Sequence, residues 1–297
     1  MIEDHFQKRC TNCGAVAEFP DGALSIMCGY CDSPMVDSEA AAPQVDLVAP
    51  FRIEKSVAEQ KLKEHLAGRF WAPDSVRKGI VKDHRLRGVL VPFWAYTGVG
   101  RSNYKAKVGV YYYVTRTTTV NGKTQTRRER RTEWFRHWGS SICAIEHHLV
   151  SASSGIEEEE SNRVEPFDCG RALPYDARLL SGFEAELPSI PRENADPVAM
   201  EEIRGLEARR VEKQLLPGDV GSVEEINTNV DVDKVEMVLL PLWIATWRHE
   251  GKLGRQIVNG QTGKVIGDVP VSKTKIAVAV VGGLLVLFGL LAAMGAF

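Results

Sequence analysis

Near its start the chain carries cysteines at the spacing of a metal clamp: Cys10-Thr11-Asn12-Cys13, fourteen intervening residues, then Cys28-Gly29-Tyr30-Cys31. Paired C-x2-C knuckles of this kind place four thiolates tetrahedrally around one Zn²⁺, about 2.3 Å from each sulfur. Every position would be a protein thiolate, so none stays open for water and the metal is expected to be structural, not catalytic. A disulfide framework is disfavoured by the reducing compartment that a cytoplasmic placement implies. A thioredoxin-like redox site is disfavoured because the cysteines form a matched set without a βαβ unit. Cys143 and Cys169 stand apart; Cys143 with His147 lacks further ligands and reads as a buried thiol beside an ordinary histidine.

A second group of residues carries charge. Arg116, Lys123, Arg127, Arg128, Arg130 and Arg131 fall on two strand-like runs, Tyr111–Val120 and Lys123–Phe135, that flank Asn121-Gly122, a strong two-residue hairpin signal. On such an arm they form a dense cationic finger. One reading is an edge strand guarded by charge; the functional readings are anionic lipid headgroups, an acidic partner or nucleic-acid phosphate, with lipid or partner preferred.

Other groups fail as chemistry. Asn259-Gly260-Gln261-Thr262-Gly263-Lys264 resembles a phosphate loop, but Val258 and Val265 stand where glycine and Ser/Thr are needed. His137, His147 and His148 lie near Glu133 and Glu146 without a nucleophile elbow, an HExxH or paired carboxylates. No catalytic residue, no enzyme activity and no small-molecule substrate are expected. Glu157–Glu160 reads as a solvated loop.

The elements that must position these groups begin with the metal module. Ala15–Phe19 and Leu24–Met27 read as short strands around a Pro20-Asp21-Gly22 turn, with Gly14 and Gly29 giving the knuckles their backbone freedom. So small a module cannot bury a core of its own and depends on its metal. The expected division is a zinc ribbon over 1–36, a linker over 37–50, a first α+β half over 51–190 with the basic hairpin, a second over 191–271, and a membrane tail over 272–297.

The two halves follow from a faint repeat. Val89-Leu90-Val91-Pro92-Phe93-Trp94 and Val238-Leu239-Leu240-Pro241-Leu242-Trp243 match in type, and each precedes a strand-like stretch. A helix is expected before each: one from the capping box Ser56-x-x-Glu59, through Leu62 and Leu66, to Gly68, the other with Asp196 as N-cap and Pro197 at N1, stopping at Pro217-Gly218. Each half then makes a hairpin, the second from Leu253–Val258 and Lys264–Val269. The fold class expected is α+β, a ribbon followed by a duplicated helix-plus-β-hairpin body and a single C-terminal transmembrane helix.

The 297 residues are 44% hydrophobic and 26% charged with a net charge of −2, which excludes collagen, wholesale disorder and the long-range field of a dedicated nucleic-acid binder. Ile276–Phe297 holds no charge and, as a helix, would rise about 33 Å at ~1.5 Å per residue, enough for a hydrocarbon core of about 30 Å. With Lys273 and Lys275 before it, the expectation is a tail-anchored, single-pass protein of a bacterial inner membrane with its N-terminal bulk cytoplasmic. Met1–Cys10 holds acids and no apolar stretch, so no signal peptide is read there.

Several strings together resemble a known family: Cys10-x2-Cys13-Gly14-Ala15, Val91-Pro92-Phe93-Trp94, Tyr175 with Leu180-Ser181-Gly182-Phe183-Glu184-Ala185-Glu186, and Leu240-Pro241-Leu242-Trp243 leading to Val258–Val265. The chain resembles the bacterial zinc-ribbon membrane proteins typified by YdjG of Bacillus, whose ribbon is similar to that of general transcription factor IIB and is often labelled primosomal helicase-like. The resemblance spans most of the chain and implies a membrane-anchored, non-enzymatic component with phage-shock or flotillin-like protein partners. The helicase label finds no Walker motif here, and the basic hairpin departs from the family pattern. The function expected is a zinc-ribbon adaptor or scaffold recruiting protein partners to the inner membrane; the alternative is a nucleic-acid-binding regulator, and an enzyme stands last.

Overall fold

The structure is a computed structural model that describes residues 6–37, 44–74, 86–120, 123–249, 252–269 and 272–293. Strands β1 (Phe6–Arg9) and β2 (Val16–Phe19) pair antiparallel, and β3 (Ala23–Met27) pairs with β4 (Pro34–Val36). The strands on either side of the Pro20-Asp21-Gly22 turn therefore take different partners. Gly22, at φ +77, makes the turn, and Ala23 N donates to Pro20 O at 3.0 Å.

After β5 (Leu47–Val48) and α1 (Lys55–Ala67) come β6 (Leu86–Val120) and β7 (Lys123–Ser151). Then follow α2 (Glu158–Val164), β8 (Leu173–Pro174), β9 (Glu184–Glu186), α3 (Arg192–Arg210), β10 (Val220–His249), β11 (Lys252–Asn259), β12 (Val265–Ile266) and α4 (Lys273–Ala293). Ten strands make one mixed sheet along the path β12-β11-β10-β6-β9-β3-β4, with β7 beside β6, β5 beside β10 and β8 beside β5. The segment read as a linker thus contains β5, which runs parallel to β10 with Leu47 opposite Val238.

The α+β expectation is corrected to a mostly β protein, because the long strands run straight through the sites expected to break them. Pro92 and Pro241 both lie inside strands. Proline donates nothing to a ladder, but their carbonyls are used, Pro92 O accepting from Ala152 N at 3.0 Å and Pro241 O from Gly260 N at 2.9 Å. Val238, Leu239, Leu240 and Leu242 are fully buried, as are Val91 and Phe93; continuous apolar strings like these suit strands covered on both faces.

The chain divides into two compact units, Met1–Phe93 with Ser151–Ile190 and Met237–Phe297, and Trp94–Val150 with Pro191–Glu236. In the first, α1 lays Ala58, Leu62 and Leu66 against Trp243, Ala245 and Val258. In the second, α3 lays Ala195 and Ala199 against Tyr96 and Val150. Each helix thus covers strands belonging to the other sequence repeat.

Helix starts also move. α1 begins after Glu54 with no side-chain cap, two residues before the expected capping box takes hold. α3 begins after Pro191, so Pro197 lies in its interior; Asp196, expected as the cap, instead accepts from Tyr96 OH at 2.9 Å and from Arg192 Nε at 3.3 Å. A π-helical turn over Val211–Leu215 ends this segment.

The transmembrane tail and the inner-membrane placement built on it are also corrected: among the described residues, no helix is long and apolar enough to cross a membrane. Lys275, read as a flanking charge, is instead tied to the chain before β6. Its Nζ donates to Phe70 O at 3.2 Å, Ala72 O at 2.9 Å and Asp74 Oδ1 at 2.8 Å.

Candidate metal centre

The sulfurs of Cys10, Cys13, Cys28 and Cys31 all lie within 4.8 Å of one another. Cys10 and Cys31 are 3.7 Å apart, as are Cys13 and Cys28. A tetrahedron of sulfurs about 2.3 Å from a central ion has edges of about 3.8 Å. A disulfide needs about 2.05 Å, and all four cysteines are free. The arrangement could hold one metal ion, with every donor supplied by the chain.

The two knuckles are built alike. Cys10 N donates to Ala15 O and Cys28 N to Ser33 O, at 2.7 and 2.8 Å; Gly14 N and Asp32 N then donate back to Cys10 O and Cys28 O, both at 2.9 Å. In each, the residue after the second cysteine takes a left-handed conformation, Gly14 at φ +75 and Asp32 at φ 53. Gly29 does not, so the freedom expected of it belongs to Asp32, a residue type that tolerates this region. Asn12 braces one knuckle to the other, its Nδ2 donating to Ser33 Oγ at 2.8 Å and to Cys31 Sγ at 3.7 Å.

Ser33, through its hydroxyl and then its backbone N–H, holds the Cys31 thiol down at about 6 against the opposing effect of burial. Cys10 is lowered by the backbone N–H groups of Cys13 and Asn12. At Cys13 the backbone N–H of Ala15 pulls downward, but the sulfurs of Cys31, Cys10 and Cys28 together with burial push it up to about 12. Four sulfurs this close cannot all ionise unless a cation sits among them, which is the electrostatic demand a divalent metal meets. Around them the ribbon buries little: Phe19 and Met35 are the large apolar side chains of its core. Tyr30, between the second pair of cysteines, is 79% exposed.

Among the described residues no second group of metal ligands forms. Cys143 lies instead beside Glu207 of α3; burial first, then that carboxylate, raises its thiol. Glu207 is itself buried, accepting from Ser141 Oγ, from Arg210 Nε at 2.7 Å and from Arg210 Nη2 at 2.9 Å. His148 pairs with Glu202 at 3.1 Å, and His137 packs on Tyr104.

The cationic finger divides by strand alternation. Arg128 lies over Tyr113 at 4.5 Å and Arg130 over Tyr111 at 4.3 Å. Arg116 and Arg131 both reach Glu129, at 3.2 and 3.8 Å, and Arg127 falls on the same side as Glu129 and Arg131 by its odd register in β7. Residues 121–122 and the side chain of Lys123 lie outside the described residues. Missed at the level of sequence were the rings among these charges, Tyr111, Tyr113, Trp134 and Trp138. The period-two run Trp134-x-Arg136-x-Trp138 was the available signal.

The phosphate-loop look-alike is a brace. Asn259 is fully buried; its Oδ1 takes the backbone N–H groups of Gln261 and Thr262 at 2.8 and 2.9 Å, and its Nδ2 donates to Val164 O and Pro166 O at 2.9 and 3.0 Å. The amides a phosphate would need are consumed internally. A Cβ on Gly260 would fall 2.7 Å from the Phe51 ring and 2.8 Å from Pro241 O, which explains that glycine. Beside β3 a cleft of about 590 Å³ contains no cysteine or histidine, and its polar groups pair internally, Arg87 with Glu184 and Ser153 with Glu186.

No family model and no solved structure matches the chain. It is similar to the uncharacterized protein YdjG of Bacillus subtilis (strain 168), 25% identical over 234 residues that cover 77% of this chain. The chain spans 65% of that protein's length. What is established is therefore a similarity to YdjG, together with a cluster of four cysteines in this chain that could hold a metal.

Proposed function

We propose that the chain is a non-enzymatic adaptor whose N-terminal zinc ribbon, clamped by one structural Zn²⁺ on Cys10, Cys13, Cys28 and Cys31, presents a rigid docking surface to protein partners. The observation that carries this reading is the tetrahedral spacing of four thiols on matched knuckles with an exposed tyrosine at their tip. Closed thiolate sites hold structure and leave no position for a reacting water. Tyrosine is among the side chains that most often anchor interfaces.

Pairing of β3 with β9 at Ala23↔Glu186 and Ser25↔Ala185, and the bond from Ser25 Oγ to Phe183 O at 2.8 Å, fix the ribbon on the sheet. A rigid mount lowers the ordering cost of binding. By resemblance, the partners to try first are the phage-shock membrane-stress protein and flotillin-like proteins.

The test is metal content and partner retention on one purified sample. One zinc per chain is expected, lost in Cys28→Ser. Tyr30→Ala is expected to keep the zinc and weaken a captured phage-shock or flotillin-like partner at least tenfold. Zinc-free native protein, or partner binding indifferent to both substitutions, overturns the proposal.

A further inference from the structure

Along Arg101–Val108 of β6 the sheet has one covered face and one open face; farther out on the hairpin Val110, Tyr112 and Phe135 of the other face are exposed as well. Ser102, Tyr104, Ala106 and Val108 of β6 are buried, while Arg101, Asn103, Lys105 and Lys107 between them are exposed. On the covered side, Tyr104 and Ala106 pack on Val211 beyond the end of α3. Cation–ring contacts identify the strand residues that share the open side: Lys107 lies over Trp134 at 5.3 Å, in line with the Arg130–Tyr111 and Arg128–Tyr113 pairs. Large rings are bare on it, Trp134 at 46%, Trp138 at 61% and Tyr113 at 55% exposed.

Charge on this face is unbalanced. Two acids of β10 are paired with cations of β6, Glu225 with Lys105 at 2.6 Å and Asp231 with Arg101, while Glu224 and Asp233 of the same strand are exposed. Lys107, Arg128, Arg130 and Arg136 have no carboxylate partner among the described residues. The remaining exposed acid of this register on β7, Glu146, stands ten residues from Arg136.

The geometry points to a single-stranded nucleic acid as the ligand of this face, with bases stacked on Trp134, Trp138 and Tyr113 and phosphates held by Arg128, Arg130 and Lys107. Sheet faces that interleave flat rings with cations bind single strands because every base has a face to stack and every nucleotide a phosphate to pair. A duplex hides its bases from such rings. A folded protein partner would need acids matching the cation rows. The inference is independent of the ribbon's metal.

The test uses the full zinc-loaded chain and a fluorescein-labelled oligothymidylate, with anisotropy read between about 50 and 200 mM salt. Binding is expected to weaken with salt and to exceed that of a duplex of equal length. Trp138→Ala is expected to weaken it about 5- to 150-fold. Arg128→Ala with Arg130→Ala should make the log–log salt slope shallower by about 1.4, at ~0.7 for each phosphate no longer neutralised. Arg127→Ala with Arg131→Ala, on the opposite side of the same strand, is the control that should leave the affinity within about twofold. Unchanged zinc content and circular dichroism in each variant establish that it is folded. No binding at low salt, equal affinity for duplex, or equal weakening by the control pair overturns the inference. So does a Trp138→Ala variant whose sole change is dissociation of a dimer seen by sedimentation, which would make a second copy the occupant.

Discussion

Around the four thiols the ribbon's own core consists of Cys10, Cys28, Phe19 and Met35, with small neighbours such as Ala15 and Ala17. Under α3 and the turn after it, the sheet buries Tyr96, Tyr104, Ala106, Val150, Ala195, Ala199 and Val211. Both regions also enclose a cluster of reactive polar groups, but they compensate it differently. The thiols could be compensated by one metal ion from outside the chain. Glu207, by contrast, finds its cation within its own helix, in Arg210. The difference teaches that a module too small to bury its own surface takes its order from a ligand, whereas a helix-covered sheet can internalise a charge and satisfy it.

The largest effect should come from breaking the clamp. If zinc fills the site as proposed, stripping it with a chelator, or Cys28→Ser, removes a binding free energy of about 10–16 kcal/mol in the range of structural zinc sites. Hydrogen exchange is expected to lose protection over 6–36 and keep it over 94–118. Equal loss in both stretches would show that the second region also depends on the metal.

Next comes Glu207→Ala, which leaves Arg210 and Ser141 without their acceptor and should cost about 3 kcal/mol in urea unfolding. Burial alone would raise the Glu207 carboxyl, but Arg210, Ser141 and Cys143 hold it below the usual glutamate range. Its contribution is therefore complete above the ordinary glutamate pKa and is lost as pH falls through the lowered value. Glu207→Gln should flatten that acid-side loss of stability, and an unaltered pH profile would assign the acid sensitivity to other carboxylates.

Smaller effects sharpen the ribbon. Gly14→Ala, at φ +75, should cost about 1–2 kcal/mol in the zinc-bound state, while Gly29→Ala, with nothing within 4 Å of its Cβ, should be nearly neutral. Equal effects would mean that the left-handed conformation at Gly14 is not what the substitution strains. Smallest is Arg116→Ala: its exposed pair with Glu129 should contribute no more than about 0.5 kcal/mol by thermal unfolding.

The metal module was legible because its information is local: a cysteine's partner three residues on, a glycine where φ is positive, a proline-initiated turn. The strands around residues 121–122 were legible for the same reason. The finger was legible as charge but not as two faces, since Arg127 and Arg128 are neighbours in sequence and opposites across a strand. Helix starts were misplaced because capping preferences at Ser56 and Asp196 were overruled by the packing of Ala58 and Ala195 and by Tyr96 claiming the Asp196 carboxylate. The apolar tail was read from composition alone, without the anchoring of Lys275 to Phe70, Ala72 and Asp74.

The sequence by itself determined the four clustered thiols, the turns that aim them and the strings Val89–Trp94 and Val238–Trp243 that fill the sheet. Only the tertiary structure decided that α1 serves the strands of the second repeat and α3 those of the first, and that one face of β6 and β7 is left bare. The physical reason is range. Coordination, turn geometry and alternation act between near neighbours, whereas which apolar face meets which, and which stays in water, is settled by non-directional burial among segments far apart in the sequence.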